Sequence, residues 1–274
     1  MVHLTYLLKN LQYRLAPGST ETVRRLRHEQ DPGYVHERDR HPVRVKHQGT
    51  SGWKEERAGH LHYRDYASYD EYVAHQQQKF TEMLKVKGGF SGAELLDYRR
   101  KFYRRFRHLP AYLGPDAVIV CAGARQGTEV EVLRDMGYHR AYGIDLNPGP
   151  DNPYVRPGDF MKMENASGSV DLIYSNCLDH AFDIENFLRE HRRVLKPEGL
   201  ALYDFVPAGG TGAFEAVEWD SEEALLRPLI ASFRSVVKME SEPHWKWILL
   251  QGPRPEDTID QLLRRARSAG DTHG

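Results

Sequence analysis

Asp116-Ala117-Val118-Ile119-Val120-Cys121-Ala122-Gly123-Ala124-Arg125-Gln126-Gly127 is a short apolar run that ends in a glycine-punctuated loop. Uninterrupted apolar character over four to eight residues, without polar alternation, marks a strand covered on both faces, as in a parallel sheet. Gly123 and Gly127 let the backbone turn tightly there and approach a ligand closely. Thr128 to Met136 then has helical spacing and Gly137 stops it, so the unit reads strand, loop, helix.

Outward from this unit the alternation continues. Arg140 to Leu146, Val170 to Tyr174 and Leu200 to Val206 read as strands, and Ile184 to Leu195 and Glu222 to Ile230 as helices. Phe233 to Met239 and Trp245 to Leu250 read as an antiparallel pair at one edge. Strands alternating with helices predict an α/β fold, a Rossmann-like doubly wound, mostly parallel seven-stranded sheet. Three regions are expected: a basic helical lid or substrate region over 1–115, the sheet domain over 116–252, and a frayed tail over 253–274.

In such a sheet a ligand lies beyond the carboxyl ends of the strands, so the loops there carry the function. The second strand ends in Gly143-Ile144-Asp145-Leu146, with Asp145 18 positions beyond Gly127. A carboxylate so placed can accept hydrogen bonds from a ribose diol. The amides opening the helix after Gly127 offer donors and a positive dipole end. The G-x-G-x-x-G spacing of dinucleotide dehydrogenases is absent.

Further along stand Asp159-Phe160, then Ser169-Val170-Asp171-Leu172-Ile173-Tyr174-Ser175-Asn176-Cys177-Leu178-Asp179-His180, then Arg193-Val194-Leu195-Lys196-Pro197-Glu198-Gly199. In this order the segment from Val118 to Pro207 resembles the class I S-adenosylmethionine-dependent methyltransferases of the small-molecule type. The resemblance implies S-adenosyl-L-methionine as cofactor, held by Gly123, Ala124, Arg125, Gly127, Asp145, Leu146, Asp159, Phe160, Ser175 and Asn176. Asp159 and Phe160 would meet the adenine amino group and ring. No metal is called for.

The first loop departs from the family pattern. Cys121 stands where the family usually carries an acidic residue that orients the methionine end of the cofactor, and Arg125 replaces the middle glycine. Arg125 either pairs with the cofactor carboxylate or points outward. Methyl transfer needs an aligned nucleophile and, for a hydroxyl, a base. His180 is the candidate base, with Asp179 beside it to assist or orient. The implied reaction is O-methylation of a small-molecule or glycan hydroxyl, an anionic acceptor included. A catalytically silent S-adenosylmethionine-binding or interaction protein is the alternative. Cys121 and Cys177 both follow strands that end at the crevice, and are read either as two small core residues or as a redox-sensitive pair.

The chain has 274 residues, 40% of them hydrophobic and 28% charged, as in ordinary globular proteins. No stretch reaches the roughly 18 to 20 apolar residues of a membrane span. With two cysteines and no signal-peptide pattern at the N-terminus, a cytoplasmic location is expected. The overall charge of -1 hides a net +8 over Met1 to Pro115 and a net -9 beyond. Residues 98–108 interleave six Lys and Arg with four aromatics. Tyr98, Phe102, Phe106 and Leu109 fall on one helical stripe expected to pack on the core, and the cations on a solvated basic face. Anionic partners are the functional alternative, with nucleic acid the weakest for want of a binding motif and peripheral membrane contact another.

Leu4, Leu7, Leu8, Leu11 and Leu15 mark an amphipathic helix, expected to dock on the protein's own core or else to rest on a bilayer. Residues 28–65 lack periodicity and read as loops and short pieces. Two helices are expected over 68–86 and 93–108. On the first, Tyr72, His75, Gln76 and Lys79 share a face that could reach the cofactor or acceptor. Ala208-Gly209-Gly210-Thr211-Gly212 could fold over substrate.

Overall fold

The computed structural model describes residues 3–15, 53–58, 61–87, 92–149, 151–207, 214–241 and 245–270. The loop 208–212, Gly88-Gly89 and residues 28–52 lie outside the described residues. Helices are α1 (Leu4–Leu15), α2 (Tyr69–Lys87), α3 (Gly92–Phe106), α4 (Thr128–Asp135), α5 (Ile184–Val194), α6 (Glu222–Ala231) and α7 (Glu256–Gly270). Strands are β1 (Trp53–Ala58), β2 (Leu61–Arg64), β3 (Ile119–Ala122), β4 (Ala141–Asp145), β5 (Val155–Pro157), β6 (Val170–Ser175), β7 (Leu195–Phe205), β8 (Val217–Trp219), β9 (Phe233–Ser241) and β10 (Lys246–Pro253).

Seven strands form one sheet in the order β5-β4-β3-β6-β7-β10-β9. The first five run parallel, and β10 and β9 pair antiparallel at the edge. Order reverses between β3 and β6, which opens the crevice where ligands of such sheets bind.

The strands alternate between two apolar layers, as a pleat requires. Ile119, Cys121, Leu200, Leu202, Trp247 and Leu249 point to the layer shared with α3 and α4. Val120, Ala122, Ala201, Tyr203, Ile248 and Leu250 point to the layer shared with α2, α5 and α6. Phe102 and Phe106 of the α3 stripe pack edge-on against Tyr174, with Leu109 buried beside them and Tyr98 open at the end.

Three expectations need correction, and one is filled in: the short pieces expected within 28–65 include β1 and β2, and β2 pairs with β8 in a small three-stranded sheet. Its strands are too short and polar to show a period, and β8 lies far along the chain. The C-terminal tail is not frayed throughout, since α7 occupies Glu256–Gly270 with Ile259 buried. The basic face of α3 is only partly solvated. Arg99 is wholly buried against Glu131 and Asp135, and Arg105 lies against both carboxylate oxygens of Asp204 at 3.0 Å. Buried charge survives when it is paired and hydrogen-bonded. Finally, α1 docks through the wrong side for a leucine stripe. Tyr6 is buried and stacks on Tyr103, Asn10 accepts from Arg99, and all five leucines are exposed.

Two buried groups make stability depend on pH in opposite directions. Burial pushes the His191 imidazole down to about 3. Burial, aided by Asp145, pushes the Glu129 carboxyl up to about 8. In the unfolded chain the histidine takes up a proton below about pH 6.5 while the folded one stays neutral, so acid destabilises through His191. Unfolded glutamate ionises above about 4.5 while the folded one keeps its proton, so base destabilises through Glu129. The two effects offset from about pH 4.5 to 6.5. From pH 6.5 to 8 only Glu129 acts, at about 2 kcal/mol. Urea unfolding should show Glu129→Gln gaining that amount over wild type between pH 6.5 and 8. His191→Gln should gain a similar amount between pH 6.5 and 5. Differences that do not change with pH would contradict the burial of these groups.

Candidate functional site

The site grows from the turn after β3. Gly123 and Gly127 have φ of 76° and 80°, which other residues rarely adopt. A Cβ on Gly123 would lie 2.3 Å from Cys177 Sγ, and one on Gly127 2.7 Å from Tyr154 Cβ. The loop is thus wedged between β4–β5 and the end of β6 with no room for side chains at these points.

Between the glycines Arg125 also takes a left-handed conformation, φ 43°, at a cost of about 1 kcal/mol for a side-chain-bearing residue. What holds it there is visible. Its N–H donates to Asp145 Oδ2 at 2.8 Å, and Asn152 Nδ2 donates to its carbonyl. Asp145 Oδ1 accepts from Asn147 N at 2.9 Å. The carboxylate at the tip of β4 therefore has a fixed orientation, set by backbone amides from two loops.

An open cleft lies beside it, lined by Gly123, Arg125, Asp145, Leu146, Phe160 and His180 among the expected residues. Tyr72, Gln76, Asn147 and Cys177 complete the wall. Other expected residues lie behind or beside this lining. Ala124 is buried and Gly127 caps the start of α4. Ser175 is wholly buried with Oγ bonded to the Ala122 carbonyl, tying β6 to β3. Asn176 is half-buried next to it. Asp159 accepts from Met161 N at 2.8 Å and from the Tyr69 hydroxyl of α2.

His180 sits in a short helical turn, Leu178–His180, tied to α2 because Tyr72 Oη donates to its carbonyl at 3.1 Å. Its Nδ1 is 3.0 Å from the Phe214 carbonyl. A carbonyl cannot donate, so Nδ1 carries the hydrogen and the lone pair of the neutral ring is on Nε2. Asp179 Oδ1 is 3.8 Å from Nε2. Aromatic rings surround this corner: Phe182 lies 4.6 Å from Tyr72, Tyr66 5.4 Å from Tyr72, and His75 stacks 5.2 Å from Phe214. Burial raises the hydroxyls of Tyr66, to about 12, and of Tyr72 still further, so both remain donors. The Lys79 side chain lies outside the described residues.

The two thiols do not form a pair. Cys121 belongs to the layer facing α3 and α4, and Cys177 to the layer on the other side of the sheet. Burial also raises the Cys121 thiol well above its usual range, which makes it inert. Sequence reading missed Asn152, Asn147, Phe182 and Phe214. Asn152 gave a local signal, an Asx turn ahead of Tyr154. Phe214 reaches the site from the segment between β7 and β8 and gave none.

Together, the sheet order, the glycine turn and the oriented carboxylate define a class I S-adenosylmethionine-dependent methyltransferase fold. Comparison with known proteins agrees. Residues 120–203 match the family described as a methyltransferase domain, so the chain carries that domain and is a methyl-transferring enzyme. No curated protein matches it. Among solved structures, 1,6-didemethyltoxoflavin-N1-methyltransferase of Burkholderia thailandensis, with bound 1,6-didemethyltoxoflavin and S-adenosylhomocysteine, is similar at 17% identity and a TM-score of 0.55. That similarity covers 74% of this chain and 100% of that one. Geranyl diphosphate C-methyltransferase of Streptomyces coelicolor A3(2) is similar at 13% identity and a TM-score of 0.51, over 69% and 99%. At these identities the likeness concerns the fold.

Proposed function

We propose that this enzyme places the methyl group of S-adenosylmethionine on a hydroxyl of a small molecule, with His180 taking the hydroxyl proton. The observation that carries this reading is the Nδ1 contact to the Phe214 carbonyl, which leaves Nε2 as the basic nitrogen of a residue lining the cleft. The fold does not choose the attacked atom, since similar folds serve a nitrogen and a carbon acceptor. A base is what a hydroxyl needs and a neutral amine does not.

The cleft's chemistry fits the cofactor. Asp145 would accept from the ribose hydroxyls, Leu146 and Phe160 would flank the adenine, and Asp159 would accept from its amino group once Tyr69 yields. Arg125 would pair with the carboxylate of the methionine end. When bound, the cofactor supplies an electrophilic methyl carbon on a sulfonium that departs as a thioether. The chain's own part is to bring the acceptor oxygen in line with that carbon, exclude water and receive the proton at Nε2. Asp179 then stabilises the resulting imidazolium. Tyr72, backed by Tyr66 and Phe182, offers the acceptor an apolar, flat wall.

The test is methyl transfer from labelled S-adenosylmethionine to a panel of phenols, alcohols, carboxylic acids and amines. Label on an oxygen of at least one hydroxyl acceptor is expected. Label found on nitrogen or carbon acceptors alone would overturn the hydroxyl reading.

A further inference from the structure

The exterior formed by α1 and α3 has a composition that the methyl-transfer site does not use. Leu4, Leu7, Leu8, Leu11 and Leu15 are 50 to 74% exposed, and together they cover about a third of the helix circumference. Helices of globular proteins bury such a stripe. Here the opposite face is buried instead, where Tyr6, Lys9, Asn10 and Tyr13 engage α3 and α4. Alongside, Arg100 and Arg104 of α3 and Arg107 just past its end are exposed, near Tyr103, on which α1 rests. The acids on this side of the molecule are largely consumed internally. Glu131 and Asp135 are buried against Arg99 and Lys9, and the acids that stand near the arginine row are Asp97 and, beside Arg107, Glu240, which Lys238 already engages.

We propose that this face docks on an anionic lipid bilayer, with the α1 leucines entering the boundary between headgroups and acyl chains and Arg100, Arg104 and Arg107 meeting lipid phosphates. An apolar stripe flanked by cations is the pattern of helices that lie in the membrane interface. Charge selects this occupant over a second copy of the chain, because a symmetric pair would bring two arginine rows together. The leucines select it over nucleic acid, which offers no apolar surface. Among the described residues no helix is long enough and apolar enough to cross a membrane, so the association is peripheral.

The test is co-sedimentation of the full chain with phosphatidylcholine vesicles, with and without phosphatidylserine, in low and high salt. Binding that requires phosphatidylserine and weakens with salt is expected. Arg100→Glu with Arg107→Glu should lower partitioning at least about tenfold. Leu8→Ser with Leu11→Ser should abolish it while melting temperature and methyl transfer stay unchanged, because both leucines are about half exposed. Absence of binding to phosphatidylserine vesicles overturns the proposal. So does a dimer in sedimentation that the leucine pair dissolves. So does a marked fall in melting temperature for that pair, which would mean that the chain covers the stripe itself.

Discussion

Asp145→Ala is expected to raise the dissociation constant of S-adenosylmethionine at least about a hundredfold, since two hydroxyls donating to one ionised carboxylate contribute roughly 1.5 to 3 kcal/mol each. The carboxylate also receives the N–H groups of Arg125 and Asn147, so alanine loosens the turn as well as removing the contact. Asp145→Asn separates the two effects. It retains one carbonyl oxygen for the loop while losing the charge, and should fall between alanine and wild type in affinity, with a melting temperature nearer to wild type. Calorimetric titration below the melting temperature of each variant provides the measurement. An affinity for Asp145→Ala within threefold of wild type would mean that the cofactor's sugar is held elsewhere.

The second large effect is on turnover. His180→Ala should lower kcat by about 10²- to 10⁴-fold, the usual range for a lost general base. Cofactor affinity should hold within a few-fold, because the proposed reading puts the histidine at the acceptor end of the cleft. A merely structural role predicts a different pattern. Loss of the turn that Tyr72 and Phe214 anchor would lower affinity and melting temperature together. The pH profile discriminates further. Wild-type kcat/KM should fall on the acid side as the imidazole takes a proton, and His180→Gln should lose that limb. Asp179→Asn should reduce kcat by a smaller factor without altering binding, since its role is to stabilise a charge that appears only as the proton moves.

Local signals explain why the proposed cofactor half of the site has a pattern in the sequence itself. The Gly123–Gly127 turn and Asp145 belong to consecutive units of one strand-helix pattern, and each carries its own requirement of conformation or charge. Their meeting then follows from parallel pairing of β3 with β4. The proposed acceptor half has no such origin. Tyr72 comes from α2, ahead of the sheet domain, and Phe214 from the segment between β7 and β8, and the hydrogen bond that sets the His180 tautomer exists only when both are packed. Glu129 is similar. In sequence it is an ordinary first-turn acid of a helix; burial under α3 is what turns it into a carboxyl that holds its proton near neutrality.

The sequence alone determined the doubly wound sheet, its antiparallel edge and the residues at the strand ends. Buried strands must be apolar throughout, and loop geometry must be written in glycines, so both constraints are carried by neighbours along the chain. Tertiary structure decided which face of α1 turns inward, whether Arg99 and Arg105 meet water or carboxylates, and which side of the sheet each cysteine occupies. Those outcomes depend on partners dozens of residues away. The free energy of burying a guanidinium or exposing a leucine stripe is settled by what the fold brings opposite it.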